Sequence, residues 1–192
     1  MVSILIDENL LLRSFQPEDA AALFKTVDKS RAHLRPWLRW VDATTKPEHI
    51  QQFIQRTVHQ LNTQEALELG IFYNRQIIGG IGMHEWDHYL KKAQVGYWIS
   101  EEFEGKGIVH RSLTYFIDFL FTKPGLNKIE IQFMPANTRS ANIAERLDFK
   151  VEGIIRQSYF MNGRLEDLVI TGLLKSEWTP LPPVPQKDFK SS

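Results

Sequence analysis

The sequence predicts an α/β (α+β) chain in one domain, with a mixed, mostly antiparallel sheet of six to seven strands flanked by helices. Three observations carry this. Apolar residues recur at helical spacing through the first third of the chain and then switch to the alternation of strands. A long helical pattern from about Lys106 to Thr122 lies between two strand-like runs, Ala93 to Ile99 and Ile129 to Phe133. No stretch repeats another.

Leu10, Leu11 and Leu12 make the first strand, and Gln16-Pro17-Glu18-Asp19 opens a helix with proline at its first position and acids at its positive end. Ala20, Leu23, Phe24 and Val27 give that helix one buried face. The run H-L-R-P-W-L-R-W around Pro36 is either a cap over the core or part of a substrate wall. Thr45 is expected to cap a second helix with Pro47 and Glu48 in its first turn and Ile50, Phe53, Ile54, Val58 and Leu61 along its apolar stripe. Leu67 to Tyr73 and Gln76 to Met83 then read as a hairpin turning at Asn74-Arg75. Gly79, Gly80 and Gly82 weaken the second of these strands unless another backbone or a ligand must come close. Beyond the central helix follow a strand at Ile129 to Phe133, a short helix at Asn137 to Leu147 and a hairpin turning at Asn162-Gly163. The folded domain is expected over residues 8–178, with a proline-rich, disordered tail over 179–192.

The most informative stretch is V-G-Y-W-I-S-E-E-F-E-G-K-G-I-V, residues 95–109. It joins an apolar strand to a helix through a turn in which no Ser, Thr or Asp stands at Gly105 to Gly107 to cap the helix. A helix entrance offers about four free N–H groups and roughly half a positive charge, so the turn suits an anion such as a pyrophosphate. Gly105 and Gly107 let backbone close on it, and Lys106 adds charge. Neither a P-loop nor a complete dinucleotide fingerprint is present, and a plain tight turn accounts for the glycines equally well.

Composition narrows the classes. Basic and acidic side chains balance at 23 each, so the charge points to neither nucleic acid nor an anionic membrane. With no cysteine there is no disulfide, thiolate metal site or cysteine nucleophile. No apolar run reaches the length of a membrane span and the N-terminus lacks signal-peptide character, so a soluble, cytoplasmic protein is expected.

The order strand, E-G-K-G-I turn, long helix, strand and N-T-R-S-A-N-I-A-E-R-L-D-F resembles the GNAT superfamily of N-acetyltransferases. The later segment E-G-I-I-R-Q-S-Y-F-M-N-G-R-L-E-D resembles its RimJ/RimL-like branch, which acetylates ribosomal-protein N-termini. The resemblance spans about residues 8–178. It implies the acyl-CoA N-acyltransferase fold and acetyl-CoA as cosubstrate, with no metal and no direct nucleic-acid or membrane partner. The pyrophosphate would lie on the amides around Gly105, Lys106, Gly107, Ile108 and Val109, and the pantetheine arm beside Trp98 and Ile99. Asn137 matches an asparagine that bonds the pantetheine, and it can equally cap the helix after it. The tyrosine that many members use to protonate the leaving thiolate is replaced by Ala144, which leaves Ser140 as the implied substitute, or as a hydroxyl that only bonds the cofactor. Asp148 stands where the family usually has glycine, a swap that suits a left-handed backbone. The implied acceptor is a primary amine, in this branch a ribosomal protein's N-terminus, and similar proteins are commonly homodimers.

An attacking amine must be neutral, and Glu85, at the end of the glycine-rich strand, is the first candidate base, with His84 and Asp87 behind it. Two alternatives compete. His84-Glu85-Trp86-Asp87-His88 spells the H-E-x-x-H of zinc hydrolases, which requires a helix. The missing tyrosine leaves room for a non-catalytic acyl-CoA-binding module.

Overall fold

The computed structural model describes residues 1–182; the remainder of the expected tail, 183–192, lies outside the described residues. Strands β1 (Ser3–Leu5) and β2 (Leu10–Ser14) lead into helices α1 (Ala20–Lys29), α2 (Arg31–Leu34), α3 (Trp40–Ala43) and α4 (Pro47–Asn62). Strands β3 (Leu67–Tyr73), β4 (Gln76–Asp87) and β5 (Lys92–Ile99) follow, then α5 (Ile108–Thr122), β6 (Lys128–Phe133), α6 (Thr138–Arg146), β7 (Lys150–Met161) and β8 (Arg164–Leu174). They form one eight-stranded sheet in the order β1-β2-β3-β4-β5-β6-β8-β7, in which β5 and β6 are the parallel pair. The eighth strand is β1, whose three residues carry too little pattern to read and are fixed by antiparallel pairing with β2.

Alternation in the strands gives each face its own core. Leu67, Leu69 and Ile71 of β3, Ile81 and Met83 of β4 and Val95 of β5 point to α5, where they meet Leu113, Phe116, Ile117 and Leu120. On the other face Phe72 and Ile77 meet Ala20, Leu23 and Val27 of α1 and Ile50 and Ile54 of α4. Both expected hairpins are present, with positive φ at Asn74 and Arg75 and at Asn162 and Gly163. One cap differs from expectation: the N-cap of α4 is Lys46 and no side chain caps it, so Thr45 stays outside the helix, its own N–H bonded to His49 Nδ1. At the far end, the indole of Trp178 and the N–H of Leu181 both donate to Asp118 on α5.

Candidate active site

Pairing between β5 and β6 covers only Lys92 to Gln94 against Lys128 to Glu130. Beyond Gln94 the strands part. The closed end is held by charge: Glu130 accepts from Lys128 at 3.1 Å and Lys92 at 3.3 Å, and Lys128 reaches Glu152 at 2.5 Å. Burial works against the Glu130 carboxylate, but the two lysines outweigh it and hold its pKa below the usual range. The open end is a cleft of about 620 Å³ walled by Val95 to Ile99, Phe133 and Met134, the entrance to α5, and Asn137, Ser140 and Ile143 of α6.

Gly105 and Gly107 hold φ of +71° and +70°, and nothing lies within 4 Å of where a Cβ would project. Gly107 is the N-cap of α5 and no side chain caps it. The first helical bond runs from the Arg111 N–H to the Gly107 carbonyl, so the amides of Ile108, Val109 and His110 have no acceptor inside the helix. A parted strand pair beside a bare helix entrance fits an extended, phosphate-bearing ligand.

Of the residues expected here, Trp98, Ile99, Gly105, Gly107, Ile108, Val109, Asn137 and Ser140 all line the cleft. Lys106 does not; its ammonium lies 4.8 Å from the centre of the Phe103 ring. Asn137 is the N-cap of α6, its Oδ1 accepting from the Ser140 N–H at 3.2 Å. Ala144 is buried in the core, and Asp148 takes the left-handed backbone (φ +60°) that its position called for. The Tyr97 hydroxyl is fully enclosed with no hydrogen-bond partner among the described residues. Burial pushes its pKa up to about 12, with neighbouring Ser140 pulling the other way.

Glu85, the first candidate base, lines neither this cleft nor its neighbour. It sits at φ +49° in a break of the β4–β5 register, exposed, and accepts a hydrogen bond from Gln94. The zinc reading fails on geometry: His84, Glu85 and Asp87 belong to a strand, His88 bonds the Gln64 carbonyl and stacks on Trp86, and His84 turns to Glu68. A helix would have put both histidines on one face; a bulged strand does not.

A second cavity of about 640 Å³ lies across β5, on the α1/α4 face. Phe15, Trp40, Phe53 and Trp98 give it aromatic walls, and Glu68, Arg56 and His84 supply its charge. It shares Leu38, Gly96, Tyr97 and Trp98 with the first cleft, so the two meet at β5. Trp98 stacks edge-to-face on Trp40 at 5.8 Å, over Gly80, where a Cβ would come 2.5 Å from its indole nitrogen. Glu68 is a functional candidate that the motifs do not single out; its one signal in the sequence is an acid inside the apolar run L-E-L-G-I-F-Y.

Comparison with known proteins agrees with this architecture. The GNAT acetyltransferase domain profile matches residues 9–150. The chain is 31% identical to YdaF of Bacillus subtilis (strain 168) over 182 residues, covering 93% of this chain and 98% of that one. It is 25% identical to the ribosomal-protein-serine acetyltransferase of Escherichia coli (strain K12), covering 86% and 93%. Among solved structures, the ribosomal-protein-S5-alanine acetyltransferase of Vibrio fischeri superposes with a TM-score of 0.86 at 27% identity, covering 94% and 100%. RimL in complex with coenzyme A superposes at 0.88 with 24% identity, covering 92% and 99%, a likeness of fold. Parted central strands, an uncapped helix entrance and a matching profile over most of its length together place this chain in the GNAT acetyltransferase family, close to the acetyltransferases of ribosomal proteins.

Proposed function

We propose that the protein transfers the acetyl group of acetyl-CoA to the N-terminal α-amine of a protein, in particular a ribosomal protein, in the cytoplasm. The observation that carries the reading is the open end of the β5–β6 pair beside the uncapped entrance of α5. The amides around Gly105 to Val109 would hold the pyrophosphate. The backbone edge of Trp98 and Ile99, which β6 leaves unpaired, would take an extended arm as an added strand, and Asn137 would help position it while capping α6. Acetyl-CoA, when bound, supplies an activated acetyl thioester. Ser140, on the α6 wall beside the buried Tyr97 hydroxyl, would give a proton or hydrogen bond to the departing sulfur.

An α-amine suits such a site because its reference pKa near ~7.7 to 8 leaves a neutral fraction at physiological pH, whereas a lysine near ~10.4 needs a stronger base. Relatives named for ribosomal-protein serine and S5 alanine acetylation support the same acceptor class. The test is a thiol-release assay with acetyl-CoA, combined with intact mass, on peptides beginning with Ser or Ala, the same peptides blocked at the N-terminus, and a panel of small amines. The reading expects one acetyl group on the free N-terminus and none on the blocked peptides. Exclusive acetylation of lysine or of small amines would overturn the acceptor assignment, and coenzyme binding without turnover on any acceptor would overturn the reaction.

A further inference from the structure

Glu68, Gly82 and Gly96 form one row across three strands, Glu68 pairing with Gly82 and Gly82 with Gly96. Neither glycine carries a Cβ, so the Glu68 side chain lies flat across the sheet; a Cβ on Gly82 would collide with its carboxylate. The His84 imidazole lies over Gly96, 3.5 Å from where a Cβ would sit, and its Nε2 is 3.2 Å from Glu68 Oε1. Gly96 is the second residue past Gln94, where β5 leaves β6, and it borders both cavities. The row therefore delivers a carboxylate toward the place where the two cavities meet. Only 15% of the Glu68 side chain is open to solvent.

We infer that the second cavity receives the terminal residue of the acceptor and that Glu68 takes the proton its ammonium must lose before it can attack. This rests on the amine-acetylation reading above. The ammonium passes one proton to the Glu68 carboxylate, and the freed lone pair forms the C–N bond to the acetyl carbon as the C–S bond breaks. The nitrogen loses its second proton as the amide forms, the sulfur leaves as a thiol, and Glu68 returns its proton to water. One ammonium and one thioester thus yield one amide, one thiol and one released proton.

The surroundings favour this role. Burial pushes the Glu68 carboxyl up to about 8, with the Arg56 guanidinium pulling it back. Burial also lowers His84, against the opposing charge of Glu85, which favours a neutral imidazole beside the carboxyl. The titratable groups on the elements around the carboxyl are Arg56 and His49 from α4, His84 from β4 and Tyr97 from β5. A base near 8 exchanges a proton with an α-ammonium on nearly level terms, while a lysine ammonium lies more than about two units uphill. His84 acts as a positioning residue: its imidazole covers Gly96 and flanks the carboxylate that lies over Gly82.

The experiment pairs Glu68→Gln with Glu68→Asp and reads four quantities: kcat and KM on a free N-terminal peptide, their pH dependence, acetyl-CoA affinity by calorimetry, and carboxyl titration by ¹³C-glutamate NMR on the protein alone. The Gln variant should lose on the order of 10²-fold or more in kcat while keeping its affinity for acetyl-CoA. Its residual rate should keep climbing with pH after the wild type has levelled off. The Asp variant should recover part of the rate, and the wild-type spectrum should contain one carboxyl, missing from the Gln variant, that titrates far above the other glutamates. An unchanged rate and pH profile in the Gln variant, or no carboxyl titrating high, overturns the role of Glu68 even when the wild type acetylates peptides. A wild type that binds acetyl-CoA but modifies no amine overturns the parent reading instead, and this inference with it.

Discussion

The two glycine pairs of the molecule, Gly105 with Gly107 and Gly80 with Gly82, do opposite work. At the first pair the backbone is left-handed and the space beyond is empty, so glycine is required by conformation. At the second the backbone is an ordinary strand and the space is filled, by the Trp98 indole over Gly80 and the Glu68 carboxylate over Gly82, so glycine is required by volume. One pair leaves room for something to bind, and the other lets the protein's own side chains occupy a floor that a strand would otherwise roof over. The contrast teaches that a glycine-rich strand and a glycine-rich turn can serve the two halves of one site, and that they should fail in different ways.

The largest difference is expected from Gly82→Ala. The added methyl must push Glu68 off its row, and kcat should drop on the order of 10²-fold with acetyl-CoA affinity kept, as read by steady-state kinetics beside calorimetry. Next comes stability against pH. The Glu68 pKa is raised on folding, so its contribution is fully present below the unfolded value and is lost as pH rises through about 8. Melting of wild type and Glu68→Gln at pH 4 and pH 9 should show the variant gaining relative to wild type at the higher pH, by as much as a few kcal/mol. Gly105→Ala with Gly107→Ala should strain two left-handed positions by roughly 1–2 kcal/mol each and weaken acetyl-CoA binding while kcat at saturation is largely kept. The smallest effect belongs to Asn137→Ala. Losing the α6 cap costs about 1 kcal/mol, with a modest rise in KM for acetyl-CoA if the side chain also holds the ligand.

What was legible in the sequence is what local chemistry decides. The Gly105 to Val109 turn, helix α5 and the hairpins at Asn74-Arg75 and Asn162-Gly163 each follow from a few neighbouring residues, while the left-handed Asp148 follows from the family resemblance. What was not legible depends on register between distant strands. Glu68 is one acid in an apolar strand until pairing sets it in a row with Gly82 and Gly96, and only then does it acquire His84 and a place in the second cavity. The H-E-x-x-H spelling takes its meaning from a helix, which Gly79 to Gly82 and the pairing with β5 disallow. Glu85 follows the glycines closely in sequence, but a break in the β4–β5 register turns it outward.

The seam between β5 and β6, zipped over three residues and then left unfastened, also bears on how the molecule holds together. Slow amide exchange in β6 and β8 should depend on whether an outside strand-like molecule completes the gap. The enzyme's own rigidity would then rise and fall with the cell's supply of activated acetyl groups, making a starved enzyme also the more perishable one.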